Sequence, residues 1–155
     1  MAYSVDPTWK GAGGESRPVL NREIFLYLLD LEVKRSRRYQ NFFCVLIIQL
    51  TELSDLDAGQ GLQTCYQRVT DMLKEEMRDS DILGTLGKKK LAVILPYADT
   101  SAGGNTRARF ESSLKYYDFN QSGYQVVVQQ VAFPSDVTDT PDLLRKLIGT
   151  EAANS

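Results

Sequence analysis

The 155-residue sequence predicts an α/β (α+β) fold, a central mixed sheet covered by helices in the order α-β-α-β-β-α-β-α. Three observations predict it. Phe42–Leu50 is an almost unbroken apolar run, the pattern of a strand buried on both faces of a sheet. Two short strands, Ile82–Leu86 and Leu91–Leu95, flank Gly87-Lys88-Lys89-Lys90, which is a hairpin signal. Between and around these strands, apolar residues recur at helical spacing. One sheet with helices packed on it buries both kinds of apolar face, and its β-α-β step requires a right-handed crossover.

Residues 1–18 are Gly-rich around Lys10–Ser16 and aperiodic, the composition of a mobile lead-in, although Trp9 is able to tuck onto the domain. The domain proper spans 19–149. Its first helix runs from about Leu20 to Tyr39 with Ile24, Tyr27, Leu28 and Leu31 on one face. The last turns are basic (Lys34, Arg35, Arg37, Arg38), which suits the negative end of a helix dipole. After the first strand comes a Gly/Asp-rich loop. Leu62, Cys65, Tyr66, Val69, Leu73 and Met77 then mark a helix that continues to about Arg78. Pro96 ends the hairpin's second strand. A third helix from about Thr100 or Asn105 to Tyr116 and a strand over Tyr124–Phe133 follow. Thr140-Pro141-Asp142 supplies an N-cap and a proline at the first helical position, and Gly149 a stop, leaving 150–155 as a tail.

Composition narrows the chemistry. An apolar share of 43%, a charged share of 25% and a net charge of −2 describe a globular domain without an electrostatic case for nucleic acid or anionic membrane. No apolar run has the length of a membrane helix, and no secretory signal is visible. Cys44 and Cys65 sit in apolar-patterned segments, as reduced core residues of a cytoplasmic protein do. The sequence has no histidine, which excludes Ser–His, Cys–His and HExxH chemistry.

Several motifs share an order with a known family. Leu20-Asn21-Arg22 resembles an LxNR helix opening, and Val45-Leu46-Ile47-Ile48-Gln49-Leu50-Thr51 resembles an LLLIDLD strand. Arg78-Asp79-Ser80-Asp81 resembles an RxxD motif, and Asp81 through Pro96 aligns without a gap on DLVARYGGDEFAVLLP. The chain thus resembles the GGDEF domain, the diguanylate cyclase family, from Leu20 to about Leu147. The resemblance implies a nucleotidyl-cyclase-like sheet.

Family chemistry joins two GTP molecules with metal ions held by carboxylates. By the resemblance, the first-strand metal aspartate falls on Gln49 and its neighbour on Thr51. The signature's second glycine falls on Lys88, its Asp on Lys89 and its catalytic Glu on Lys90. The loop that carries the guanine-binding residues is shortened, its Asp position falling on Gln63, and the last helix ends before the family's phosphate-binding lysine. Cyclase activity, catalytic residues and bound Mg are therefore not expected. Lys88–Lys90 reads as a solvated turn that discourages edge pairing, with docking on an acidic partner as the alternative. Asp55 and Asp57 read as turn formers.

The RxxD element is intact. In the family it is the product-inhibition site, where arginine meets a guanine edge and aspartate accepts guanine N–H groups. The forked donor and the carboxylate match guanine's O6/N7 and N1/N2 edges. The resemblance adds Arg109, thirteen residues past Pro96, with Arg107 beside it. It implies a receptor for cyclic di-GMP that signals through another protein or a self-dimer. Two alternatives stand beside it: an i,i+3 ion pair between Arg78 and Asp81 on an interaction scaffold without either site, and a nucleotide-binding enzyme with altered chemistry. Tyr116, Tyr117 and Tyr124 near Phe110 and Phe119 read as packing at a helix-to-strand corner.

Overall fold

The computed structural model describes residues 18–53, 58–117, 119 and 123–153. The expected lead-in and the loop holding Asp55 and Asp57 lie outside these, apart from Pro18 and Leu53 at their borders. The elements are α1 (Arg22–Tyr39), β1 (Phe43–Glu52), α2 (Ala58–Glu76), β2 (Ile82–Gly87), β3 (Lys90–Pro96), α3 (Thr100–Tyr117), β4 (Tyr124–Phe133) and α4 (Thr140–Ala153). The order is the expected one.

The four strands form one sheet in the order β2-β3-β1-β4. Neighbours are antiparallel throughout, so the expected mixed sheet is corrected. β1 and β2 do run in the same direction, but β3 lies between them, and α2 carries the chain across it. α3 links β3 to β4 across β1 in the same way. Among the described residues the one parallel pairing is an isolated bridge between Leu20 and Gly84, where Leu20 N–H donates to the Leu83 carbonyl and Thr85 N–H to the Leu20 carbonyl.

β1 shows why its sequence is apolar without alternation. Cys44, Leu46, Ile48 and Leu50 face one core with Cys65, Val69 and Leu73 of α2 and Phe110 and Leu114 of α3. Phe43, Val45 and Ile47 face the other core with Phe25, Leu29 and Val33 of α1 and Leu143 and Leu147 of α4. The period of two feeds two helical layers from one central strand.

α1 begins at Arg22, with the Asn21 side chain accepting the Ile24 N–H at 2.9 Å as N-cap. Its core side is Phe25, Leu29, Val33 and Ser36, while Ile24, Tyr27 and Leu31 are exposed. The helix therefore has two apolar stripes, and the one expected from spacing faces outward. At α4 the cap is Asp139, whose Oδ1 accepts the Asp142 N–H. The Thr140 hydroxyl donates instead to Asp30 of α1. Gly149 does not stop this helix, which runs on to Ala153. No described helix is long and apolar enough to cross a membrane.

Candidate functional site

Two ends of the sheet matter. At one, the β2–β3 hairpin turns through Lys88 and Lys89, with a register irregularity between Thr85 and Gly87. The Leu50 N–H donates to the Lys89 carbonyl at 2.7 Å, which ties the turn to β1. Lys88 is exposed and, with Leu62, Gln63, Tyr66, Thr85 and Gly87, lines a cleft of about 610 Å³ between α2 and the hairpin. Lys89 Nζ lies 2.9 Å from Glu52 Oε1.

Lys90 departs from the solvated turn expected of it. It continues the row of Ala92 and Ile94 toward α1 and α4, is 2% exposed, and donates from Nζ to the Leu147 carbonyl at 2.9 Å. Gln49 sits directly opposite Lys90 in the β1–β3 register, and Thr51 is exposed at the strand end. Gln63 is exposed on α2.

This donor set does not fit the metal ions of nucleotide condensation. A divalent ion of the magnesium type takes carboxylate and other oxygen ligands. Here two of the four positions are ammonium groups, a third is an amide, and the fourth is an exposed hydroxyl. Glu52, the nearby carboxylate, holds Lys89. Among the described residues no three acidic or cysteine side chains converge.

The second end lies the length of β3 away, roughly 20 Å for a strand of this length. Here α2 ends and the chain turns into β2. Asp81 is almost fully buried; its Oδ2 accepts the Arg78 backbone N–H at 2.8 Å and its Oδ1 the Arg78 guanidinium at 3.0 Å. The Asp81 N–H closes the turn on the Arg78 carbonyl at 3.0 Å. The Arg78 side chain remains 53% exposed, and its Nη2 also reaches the Pro96 carbonyl at 3.2 Å. The pair is thus asymmetric: Asp81 anchors, and Arg78 presents.

Arg109 of α3 comes to the same helix end. Its Nε is 3.3 Å from Glu76 Oε1, two residues before Arg78, and its side chain is half exposed. Ser113 Oγ donates to the other Glu76 oxygen at 3.1 Å. Arg107 is two positions from Arg109 on α3, about 200° around the helix, and pairs with Glu111 at 3.2 Å. The structure therefore gathers Arg78, Asp81 and Arg109 and leaves Arg107 outside the group.

Sequence reasoning missed Glu76, Tyr97 and Arg35. Tyr97 follows Pro96 in the left-handed region, with φ 59. Its hydroxyl accepts from Arg35 Nη1 at 2.6 Å, and Arg35 Nη2 is held by both oxygens of Glu32 at 2.7–2.8 Å. These contacts, the Glu32 bonds first, raise the Arg35 pKa. A tyrosine at positive φ has no sequence signature.

Residues 18–132 match the family model described as Diguanylate cyclase, GGDEF domain. The chain belongs to the GGDEF family. No curated protein matches it. Solved structures share the fold. One is a DGC protein from Thermotoga maritima (15% identity, 88% of this chain and 95% of that one, TM-score 0.70). A second is the GGDEF domain of DgcB from Caulobacter crescentus in complex with c-di-GMP (13% identity, 99% and 92%, TM-score 0.67). A third is the diguanylate cyclase SiaD with its activator SiaC from Pseudomonas aeruginosa (15% identity, 86% and 55%, TM-score 0.61).

Proposed function

We propose that this GGDEF domain is catalytically inactive and serves as a cytoplasmic cyclic-di-GMP receptor, passing the signal on by association with a partner protein or a second copy. The observation that carries the reading is the asymmetric Arg78–Asp81 pair, with Arg109 brought to Glu76 beside it. A half-exposed guanidinium, fixed by a buried carboxylate, is a preorganised fork for the O6/N7 edge of guanine. The second guanidinium adds charge for the phosphates. The DgcB domain, of the same fold, was solved with c-di-GMP, which supports the ligand class. At the hairpin, Lys89 and Lys90 stand where condensation needs carboxylates, and both are committed to protein partners.

Calorimetric titration with cyclic di-GMP tests this, with GTP as control and Arg78→Ala and Arg109→Ala alongside. Micromolar binding that is lost in Arg78→Ala supports the receptor. No heat with either nucleotide moves the function to a second reading, a protein-interaction scaffold. The exposed α1 stripe of Ile24, Tyr27 and Leu31 favours that alternative.

A further inference from the structure

Tyr97 is placed as no ordinary surface tyrosine is. Its φ of 59 is a conformation that bulky side chains rarely adopt, and the residue is 55% exposed, so burial does not offset the strain. The ring is nonetheless held. Arg35 binds the hydroxyl edge at 2.6 Å, with its guanidinium carbon 5.1 Å from the ring centre. Glu32 fixes Arg35 in turn through both carboxylate oxygens. The Tyr97 N–H donates to the Phe42 carbonyl at 3.1 Å, and Phe42 is itself 40% exposed. The carbonyl of Pro96, the residue just before, receives the Arg78 guanidinium at 3.2 Å. A held aromatic ring, 55% exposed and with Arg35 over it, therefore follows directly on the residue whose carbonyl binds the half-exposed Arg78.

We propose that Tyr97 is a base-stacking platform of the ligand site. It takes one purine of a cyclic dinucleotide on its exposed ring while Arg78 meets the other, and Arg35 serves as the positioning residue that holds the ring. This rests on the receptor reading above. Strain that persists at an exposed position, held by a dedicated salt-bridged arginine, is what a preorganised ligand platform requires. A tyrosine face stacks any base, and the adjacent guanidinium supplies the preference for guanine.

The test is titration of cyclic di-GMP into wild type, Tyr97→Phe, Tyr97→Gly, Tyr97→Asn and Arg78→Ala, with thermal unfolding of each. Tyr97→Phe keeps the ring but loses the hydroxyl by which Arg35 holds it, so it is expected to bind more weakly than wild type and more tightly than Tyr97→Gly. Glycine and asparagine both accept positive φ, so those variants are expected to stay folded while binding roughly tenfold or more weakly. Wild-type affinity in a folded Tyr97→Gly or Tyr97→Asn, with Arg78→Ala still defective, overturns the platform and leaves the receptor standing. Absence of binding in wild type overturns both.

Discussion

Lys90 of β3 donates its ammonium to the carbonyl of Leu147 in α4 at 2.9 Å, from a side chain that is almost wholly buried. Lys90 is thus a cross-layer tie between hairpin and helix. A carboxylate here would point at the Leu147 carbonyl oxygen, an acceptor that cannot pair with it. Lys90→Glu is therefore expected to destabilise the fold by about 3–5 kcal/mol, as an uncompensated buried charge does, and to produce no cyclase activity. Lys90→Met, which keeps the length without the charge, is expected to cost less. Urea denaturation of the two variants checks the order.

Gly84 illustrates a close approach between layers. A Cβ built there would lie 2.3 Å from Phe25 Cδ1 and 2.5 Å from Cγ, and Phe25 is completely buried. The ring cannot retreat without displacing the α1 core. Gly84→Ala is expected to lose about 1–3 kcal/mol through overpacking, whereas Gly149→Ala, which meets nothing within 4 Å, is expected to be neutral or mildly stabilising. Paired thermal melts distinguish the two.

Much of this was legible in the residues. The unbroken run of β1, the hairpin punctuation and the helical spacings yield the element order, because burial on two faces and tight turning leave compositional marks. The shared motif order places Arg78, Asp81 and Arg109. What escapes is whatever depends on the third dimension. α1 has apolar residues on more than half its circumference, so periodicity alone does not say whether Leu29 or Leu31 meets the sheet. The strand order converts a same-direction pair, β1 and β2, into non-neighbours, which no local pattern reveals. Lys90 looks like turn composition until its place in the row of Ala92 and Ile94 is seen. Asp139 and Thr140 are both competent caps, and the competition is decided by Asp30 on a distant helix.

The two stripes of α1 predict opposite mutational responses. Leu29 is fully buried, so Leu29→Ala is expected to cost about 2–5 kcal/mol. Tyr27, on the outer stripe, is 63% exposed, so Tyr27→Ser is expected to fall within about 0.5 kcal/mol of wild type. Chemical denaturation measures both. A large loss at Tyr27 would show the outer stripe to be covered in solution.

Alkaline stability follows from the buried thiols. Burial pushes the Cys65 thiol up to about 11, and burial likewise raises Cys44 and Tyr66. All three favour the protonated form in the folded state. Their stabilisation is complete below the unfolded thiol pKa of about 8.5 and is lost progressively as pH rises toward 11. Urea midpoints are expected to fall over that window and to fall less in Cys65→Ala. Thiol reagents at neutral pH are expected to react only at the rate of opening.

The division of labour between Arg78 and Asp81 gives the last prediction. Asp81 accepts two hydrogen bonds from Arg78, one of them from its backbone, and its side chain is 1% exposed. Asp81→Ala removes the buried carboxylate that accepts both Arg78 bonds, and hydrogen bonds to a charged group contribute about 1.5–3 kcal/mol. Arg78→Ala removes the half-exposed cation but leaves the residue's backbone N–H on the buried Asp81 carboxylate, so its cost in stability is expected to be the smaller of the two. Stability and ligand affinity should therefore separate: Asp81→Ala loses both, because the turn that aims Arg78 is undone, while Arg78→Ala loses affinity with the fold nearly intact. Titration and denaturation on the same two variants read this directly. An Asp81→Ala protein as stable as wild type would return the pair to an ordinary surface ion pair and remove the anchor from beneath Arg78.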